Sequence, residues 1–562
     1  PVDTRMLAMA QYWQSEAYAR LGKQEAAEIG FVRFLEMPGA ISSEEYELAL
    51  YALGYTHFER KQYPKAIEYF RKFAGAAKNH DNRLNDAYLR IGDGYYLTRN
   101  TERAIDFYDK AVQIGNFDTD YAIFQISVCY GLGGQNASKI QSLKSMLDNY
   151  PSSSFAADAK YEIGETYFFM DRNDEAKKYF NMVLNDHEHS SYVGKSKLNL
   201  GLIAYNSSDD VAALPLFKDV AENYPATSEA KEALFKIQKI YTEQGKVEDF
   251  EAYVTTQQFP DITQGALDTS YYQAGEFMYA RSQFSKAFTE FEKYLDKFPN
   301  GYFLLNANFY LAESAIQLDQ EDRALKAYNE VLKYQKNTFT EKAIITAASI
   351  YFNRENYQEA LLRYVMLEEV AEIAENLTEA HKGLMRCNYQ LGNFVDCETY
   401  CEKLLKSERT DESTQLEASM TPARSAMAQG NHDLALTRFT ETSALATNET
   451  AAESMFNVAK IQFLKGNYDQ VEVEVFSLMD RLPGYHQWVS EGFLLLADSY
   501  VERNDAFQAR LTLQNIIDNY DDPDVNQRAQ QKLMLLQREQ EIDRIIHPSE
   551  DLLIQFESQR VK

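Results

Sequence analysis

Membrane spans, disulfide frameworks and helix breakers are all scarce in this chain of 562 residues. No apolar run reaches the roughly 18 residues that a bilayer crossing needs; the nearest, FLLLADSYV from Phe493, carries Asp498. Four Cys cannot build a disulfide framework. With only 24 Gly and 12 Pro there are too few breakers for an all-β chain, and with 45% apolar residues there is too much core material for a disordered one. Cations are short as well: 57 Lys and Arg face 85 Asp and Glu, a net charge of −28, and such a surface repels phosphates. A nucleic-acid partner is therefore excluded, and a basic or neutral partner fits better. Catalytic signatures are missing too. There is no nucleophile elbow, His-Glu-x2-His or phosphate loop, and Gly131 to Lys139 lacks the spacing and the Gly-Lys-Ser ending of the last. The chain opens at Pro1 without a Met or a basic-then-apolar leader, so a processed or cropped start is expected, with a signal or lipid-anchor segment upstream.

What is present is one short unit, many times over. Residues 50–73, LYALGYTHFERKQYPKAIEYFRKF, read as two amphipathic helices joined by the polar turn Arg60 to Gln62. Leu53, Gly54 and His57 stripe the first helix, and Ala66, Phe70 and Phe73 stripe the second. One pair cannot bury both stripes, so neighbouring pairs must cover it. Aligning on the small residue of the first helix and the residue twelve places later gives Ser15/Ala27, Gly54/Ala66, Gly92/Ala104, Ser127/Lys139, Gly164/Ala176, Gly201/Ala213 and Gln238/Phe250. The register continues through Gly275/Ala287, Ala312/Ala324, Ala348/Ala360, Met385/Cys397, Ala423/Ala435, Ala459/Val471 and Ala497/Ala509. That is fourteen units, with successive anchors 35 to 39 residues apart.

Tyr88-Leu-Arg-Ile-Gly-Asp-Gly-Tyr95 followed by Ala104-Ile-Asp-Phe-Tyr108, and Leu200-Gly201 followed by Ala213, Phe217 and Pro225, resemble the tetratricopeptide repeat family. The resemblance covers almost the whole chain. It is best in repeats two, three, five, six and eight, and weakest where Lys139, Phe250 and Cys397 replace Ala in repeats four, seven and eleven. It implies an all-α, right-handed superhelical solenoid of about fourteen helix pairs with a C-terminal capping helix over residues 526–546, polar on its outer side. The turns between repeats, as in DNYPSSSF from Asp148, ENYPATS from Glu222 and DKFPNGYF from Asp296, place Ser or Asn as the expected N-cap after an aromatic-Pro stop. They are similar to the subtype in bacterial envelope proteins such as outer-membrane barrel-assembly lipoproteins and the periplasmic coordinator of the Tol-Pal system. Pro260 and Gly265 mark a kink, giving an N-terminal superhelix over 1–256, a linker over 257–264, a C-terminal superhelix over 265–525 and a cap and tail over 526–562.

Cys397 and Cys401 occupy the Ala slot and the first bulky slot of repeat eleven, while Cys129 and Cys387 lie two places after their anchors, so all four read as small apolar fillers. His381, the lone nearby histidine, does not complete a zinc set. His187 and His189 read as exposed turn residues. No cofactor or metal is expected, and the chain is read as no enzyme.

In the resembled family the first helices line the concave face, and the residue after each small anchor points into it. Here that slot holds Glu16, Tyr55, Asp93, Val128, Glu165, Leu202, Lys239, Glu276, Glu313, Ser349, Arg386, Arg424, Lys460 and Asp498. Three places further on come Phe58, Tyr96, Phe168, Tyr205, Tyr279, Phe352, Tyr389 and Phe463. Rings beside charges suit an extended or helical peptide, and the row Arg386, Arg424, Lys460 suits an acidic or carboxylate-bearing segment. The family's two-carboxylate clamp is not matched, because Lys382 and Arg386 lack the accompanying Asn residues. The expected role is a protein-interaction scaffold of the bacterial envelope, periplasmic and tethered to the outer membrane through a missing N-terminal segment. A cytoplasmic adaptor and an accessory subunit of a peptidoglycan or secretion enzyme are the alternatives.

Overall fold

The computed structural model describes residues 3–78, 82–259, 262–445 and 447–546. Among the described residues there are 29 α-helices, the short 3-10 turn Ala40–Ser42 and no strand. The chain divides into two compact units, Pro1–Thr263 and Gln264–Lys562. The first holds seven helix pairs, from Thr4–Arg20 with Gln24–Glu36 to Ser228–Glu243 with Val247–Gln257. The second holds seven more, from Gln264–Ala280 with Phe284–Lys297 to His486–Glu502 with Ala506–Asn519, followed by the capping helix Pro523–Ile546. Within each unit every helix packs on the next in chain order, as a right-handed solenoid of helix pairs requires. The linker expected at 257–264 includes Pro260 and Asp261, which lie outside the described residues, as does the tail beyond 546.

The small anchor exists because a side chain from the second helix lies directly on it. A Cβ added to Gly54 would stand 2.6 Å from the Phe70 ring, sixteen residues on. The same holds for Gly92 under Tyr108, Gly164 under Phe180, Gly201 under Phe217 and Gly275 under Phe291, at 2.6 to 2.8 Å. All five rings are fully buried. In repeat eleven the sizes are reversed: the anchor is Met385, the residue sixteen on is Cys401, and both are buried in one cluster. Close packing conserves the volume of the pair while letting its two members trade size.

The turn inside each repeat obeys a second rule. The residue seven places past every anchor has a positive φ, between 55° and 75°, and in eight repeats it is not glycine: Lys61, Arg99, Asp171, Ser208, Ser282, Asp319, Glu355 and Asn504. The next residue donates its backbone N–H to the carbonyl three places past the anchor, as Gln62 to His57, Asn100 to Tyr95 and Asp505 to Tyr500, at 2.8 to 2.9 Å. This left-handed closure satisfies the carbonyls that the ending helix leaves bare. In several repeats that next residue is an Asn or Asp that also caps the second helix, as Asn100 accepts from the Arg103 N–H at 3.2 Å and Asp209 from that of Ala212 at 3.0 Å, whereas Asn393 and Asn467 make no such bond.

The irregular repeats keep both rules. In repeat four the Lys139 stem lies against Gly131, and its ammonium reaches Glu162 at 2.6 Å. Phe250 and Cys397 are fully buried in repeats seven and eleven. The turns between repeats differ from the expected capping. Thr227 caps its helix through the Ala230 N–H at 3.1 Å, whereas Phe155 and Phe303 stand at the cap positions after the other two stops. There Ser153 Oγ accepts from the Phe155 N–H, and the Phe303 N–H donates to the Tyr294 hydroxyl, so hydroxyls nearby replace the missing cap. The last helix is also less polar outside than expected: Met534, Leu535 and Ile542 are exposed.

Gly392 has nothing within 4 Å of an added Cβ, so Gly392→Ala tests backbone conformation alone. It is expected to lower local stability by about 1 kcal/mol, and Glu355→Gly to raise it by up to about 1 kcal/mol. Urea titration followed by hydrogen exchange in repeats ten and eleven measures both. Gly54→Ala is expected to cost about 1–3 kcal/mol through overpacking against Phe70, with part regained on adding Phe70→Leu, seen as protection across residues 50–73.

Candidate functional site

The stacked first helices bring the slot after each anchor next to the residue six places before the following anchor. In four repeats the two bond. The Tyr55 hydroxyl donates to Asp86 at 2.5 Å, and that of Tyr121 donates to Asp93 at 2.8 Å. Arg386 grips Glu417 with two bonds, Nε to Oε1 at 2.8 Å and Nη2 to Oε2 at 2.5 Å. Arg424 holds Glu453 in the same way, at 2.7 to 3.1 Å. These bonds latch one repeat to the next. The Glu417 carboxylate beside Arg386 raises that guanidinium above its ordinary range, so it stays charged throughout.

The three basic residues of the predicted row therefore differ. Arg386 and Arg424 already hold carboxylates of the chain itself. Lys460 is exposed and has no ion-pair partner among the described residues, since Glu491, in the position to meet it, is held by Arg528 at 2.6 Å. Asp498 closes the row against Lys532 of the capping helix, also at 2.6 Å.

In the first unit the slot is denser. Asp93 is buried and accepts from the Tyr108 and Tyr121 hydroxyls and from Arg90, at 2.6 to 2.8 Å. Burial still holds its carboxyl above the usual range. An open cavity of about 430 Å³ adjoins this cluster, lined by Tyr12, Glu16, Arg20, Tyr51, Tyr55 and Glu59 among others.

The eight predicted rings are all half-buried. Five of them pack across the intra-repeat turn on the ring that opens the second helix: Phe58 on Tyr63, Tyr279 on Phe284, Phe352 on Tyr357, Tyr389 on Phe394 and Phe463 on Tyr468, with centroids 5.3 to 6.1 Å apart. Tyr96 and Phe168 pack at the margins of the cores of their own unit. Tyr205 lies under Lys236 and Lys239, whose ammonium groups are 5.2 and 5.8 Å from its centroid. The rings thus serve packing along one edge while leaving part of each surface open.

Reading the slots alone missed the latch partners Asp86, Glu417 and Glu453. Their signal was in the sequence, as opposite or hydrogen-bonding types at the slot after one anchor and six before the next. The cysteines are buried and unpaired. Burial pushes the Cys129 thiol up to about 11 and that of Cys387 up to about 12, and the bond to Cys397 with burial raises Cys401 further. His381 bonds Glu368 at 3.1 Å, His189 is exposed, and His187 faces Lys160 at 3.0 Å. No group of three metal-binding side chains occurs among the described residues.

The tetratricopeptide repeat model matches residues 48–79, 86–114, 121–153, 158–190, 306–338 and 491–523. The chain carries tetratricopeptide repeats. The matched windows are repeats two to five, nine and fourteen, so repeat four is recognised in spite of Lys139, while six and eight fall outside them. Among curated proteins, the outer membrane protein assembly factor BamD of Caulobacter vibrioides is 23% identical over 214 residues, which span 36% of this tetratricopeptide-repeat chain and 62% of that relative. Solved structures include the Naa15/Naa10 complex bound to HypK (13% identity, 89% of this chain and 79% of that one, TM-score 0.36) and yeast Tom70 (15%, 89% and 97%, 0.29). A third is PilF of Pseudomonas aeruginosa (16%, 40% and 95%, 0.30). With scores this low, none of the three bears on function.

Arg386→Glu is expected to lower stability by roughly 1 kcal/mol or less, because the pair is partly solvated, and adding Glu417→Arg should restore it. A double-mutant cycle in urea measures the coupling. None of the four cysteines should react with a thiol reagent in the native chain, and all four should react in urea; mass spectrometry counts the adducts.

Proposed function

We propose that the chain is a non-catalytic protein-interaction scaffold of the bacterial cell envelope. It is periplasmic and associated with the outer membrane, and it recruits protein partners to an assembly, secretion or envelope-division machine. The observation that carries this reading is the row of half-open rings and charges along the first helices in each unit, a surface able to hold an extended or helical segment of a partner. The envelope assignment draws support from the partial similarity to an outer membrane assembly factor and from the aromatic-Pro turns. We place two such surfaces, over residues 1–256 and 265–525, on either side of a linker at 257–264. In the second, Phe352, Tyr389, Arg386, Arg424 and Lys460 contribute, with Lys460 as the free cation and the two arginines acting through the carboxylates they hold.

Photo-crosslinking residues placed at Phe352 and Tyr389 in the full chain, within cells, test this. Crosslinks to a membrane-assembly or secretion protein, lost from the same residue placed at the outward Val395, are the expected outcome. Crosslinks to cytoplasmic proteins alone overturn the envelope assignment, and stoichiometric recovery of one hydrolase makes the chain an enzyme's accessory subunit. Lys460→Glu should weaken the crosslinked partner's capture severalfold with helical circular dichroism unchanged.

A further inference from the structure

In repeats eight and nine the latch is not formed among the described residues. Glu276 and Glu313 occupy the slot after the anchor in successive repeats, and neither makes an ion pair among the described residues. Each instead accepts from a tyrosine of its own repeat, Glu276 from Tyr272 at 3.0 Å and Glu313 from Tyr328. Lys342, six places before the next anchor and so in the position that Glu417 and Glu453 fill opposite their arginines, makes no ion pair either. Between the two carboxylates lie Tyr279 and Tyr310, with centroids 4.9 Å apart. Both rings are half-buried, and the charges of Glu276 and Glu313 both act on Tyr310.

The chain contains its own counterpart of this arrangement. In repeat six Tyr205 stands in the slot of Tyr279, and the next repeat supplies cations to it from two positions: Lys236, two places before its anchor, and Lys239, one place after. In repeat nine the same two positions hold Tyr310 and Glu313. Where repeat seven covers the ring with ammonium groups, repeat nine adds a second ring and a carboxylate. The electronegative ring faces and the two carboxylates then stand together, and neither carboxylate is ion-paired to a cation of the chain among the described residues.

Resting on the scaffold reading above, we propose that repeats eight and nine bind a Lys- or Arg-bearing segment of a protein partner. Its cationic group sits against Tyr279 and Tyr310, between Glu276 and Glu313. A peptide cation suits the place because its apolar stem lies on the rings while its head meets the carboxylates. This makes the partner basic at this point, in keeping with the chain's net charge of −28.

Selection of a random-peptide phage library on the full chain, followed by anisotropy titration of the recovered peptides, tests this. The peptides should be enriched in Lys or Arg. They should bind Glu276→Gln/Glu313→Gln weaker by about tenfold or more, and Asp319→Asn/Asp322→Asn, a surface control at the turn and second-helix start of repeat nine, as they bind the native chain. Tyr279→Phe should retain binding and Tyr279→Leu should lose it, since the ring face and not the hydroxyl is used. Recovered peptides that lack basic residues, or that bind the Gln variant unchanged, overturn this inference while leaving the scaffold reading intact. Recovery of no peptide at all counts against both.

Discussion

Every repeat turns on one backbone hydrogen bond, closed by a residue held in the left-handed region. The bond fixes where the first helix stops, and the same few residues start the second helix in a set direction. Only from that direction does the covering side chain land on the small anchor, sixteen residues earlier. The rings at Phe58, Tyr279, Phe352, Tyr389 and Phe463 then brace the turn from the side. The cost of placing Lys61 or Arg99 at positive φ is borne eight times over, which is tolerable in an array because each repeat draws its stability from its neighbours' contacts as well as its own.

Stacking needs a different device. Apolar contacts between repeats are non-directional, whereas the bonds from Tyr55 to Asp86, Arg386 to Glu417 and Arg424 to Glu453 each join a defined residue to a defined residue of the next repeat. The two arginine–glutamate pairs are partly solvated and add little free energy. Their contribution is to register, holding successive first helices in one alignment so that the slots after the anchors form a continuous row.

The packing was legible in the sequence because it depends on residue size at fixed spacing. Gly54 and Phe70, or Met385 and Cys401, report their contact by type alone, and that is why the cysteines could be read as fillers. The turn was legible only as polar. Six of its left-handed positions are Gly, but Lys61, Arg99 and Glu355 carry no such mark, since the conformation there is imposed by the helices on either side. Capping misled for a related reason: at Phe155 and Phe303 the groups satisfying the helix start come from a hydroxyl outside the cap position. The row of slots can be set out from the sequence by position, but a slot does not show whether its charge is spent. That depends on the residue six before the next anchor, and the decisive comparison is between Arg424, which finds Glu453 there, and Glu276, which finds Asn306.

This difference bears on what the row can recognise. A carboxylate arriving at Arg386 or Arg424 must displace Glu417 or Glu453, exchanging one bidentate pair for another while leaving a displaced carboxylate beside it. The gain from such an exchange is close to nil before the entropy of association is counted. A cation arriving at Glu276 and Glu313 displaces only the hydroxyl bonds of Tyr272 and Tyr328, which a carboxylate with several acceptor sites can keep while it accepts more. Along one row in one unit, therefore, the charges that attract notice in the sequence are largely internal cement. The acidic slots of repeats eight and nine, together with Lys460, carry no ion pair among the described residues, and they are the places proposed for a partner.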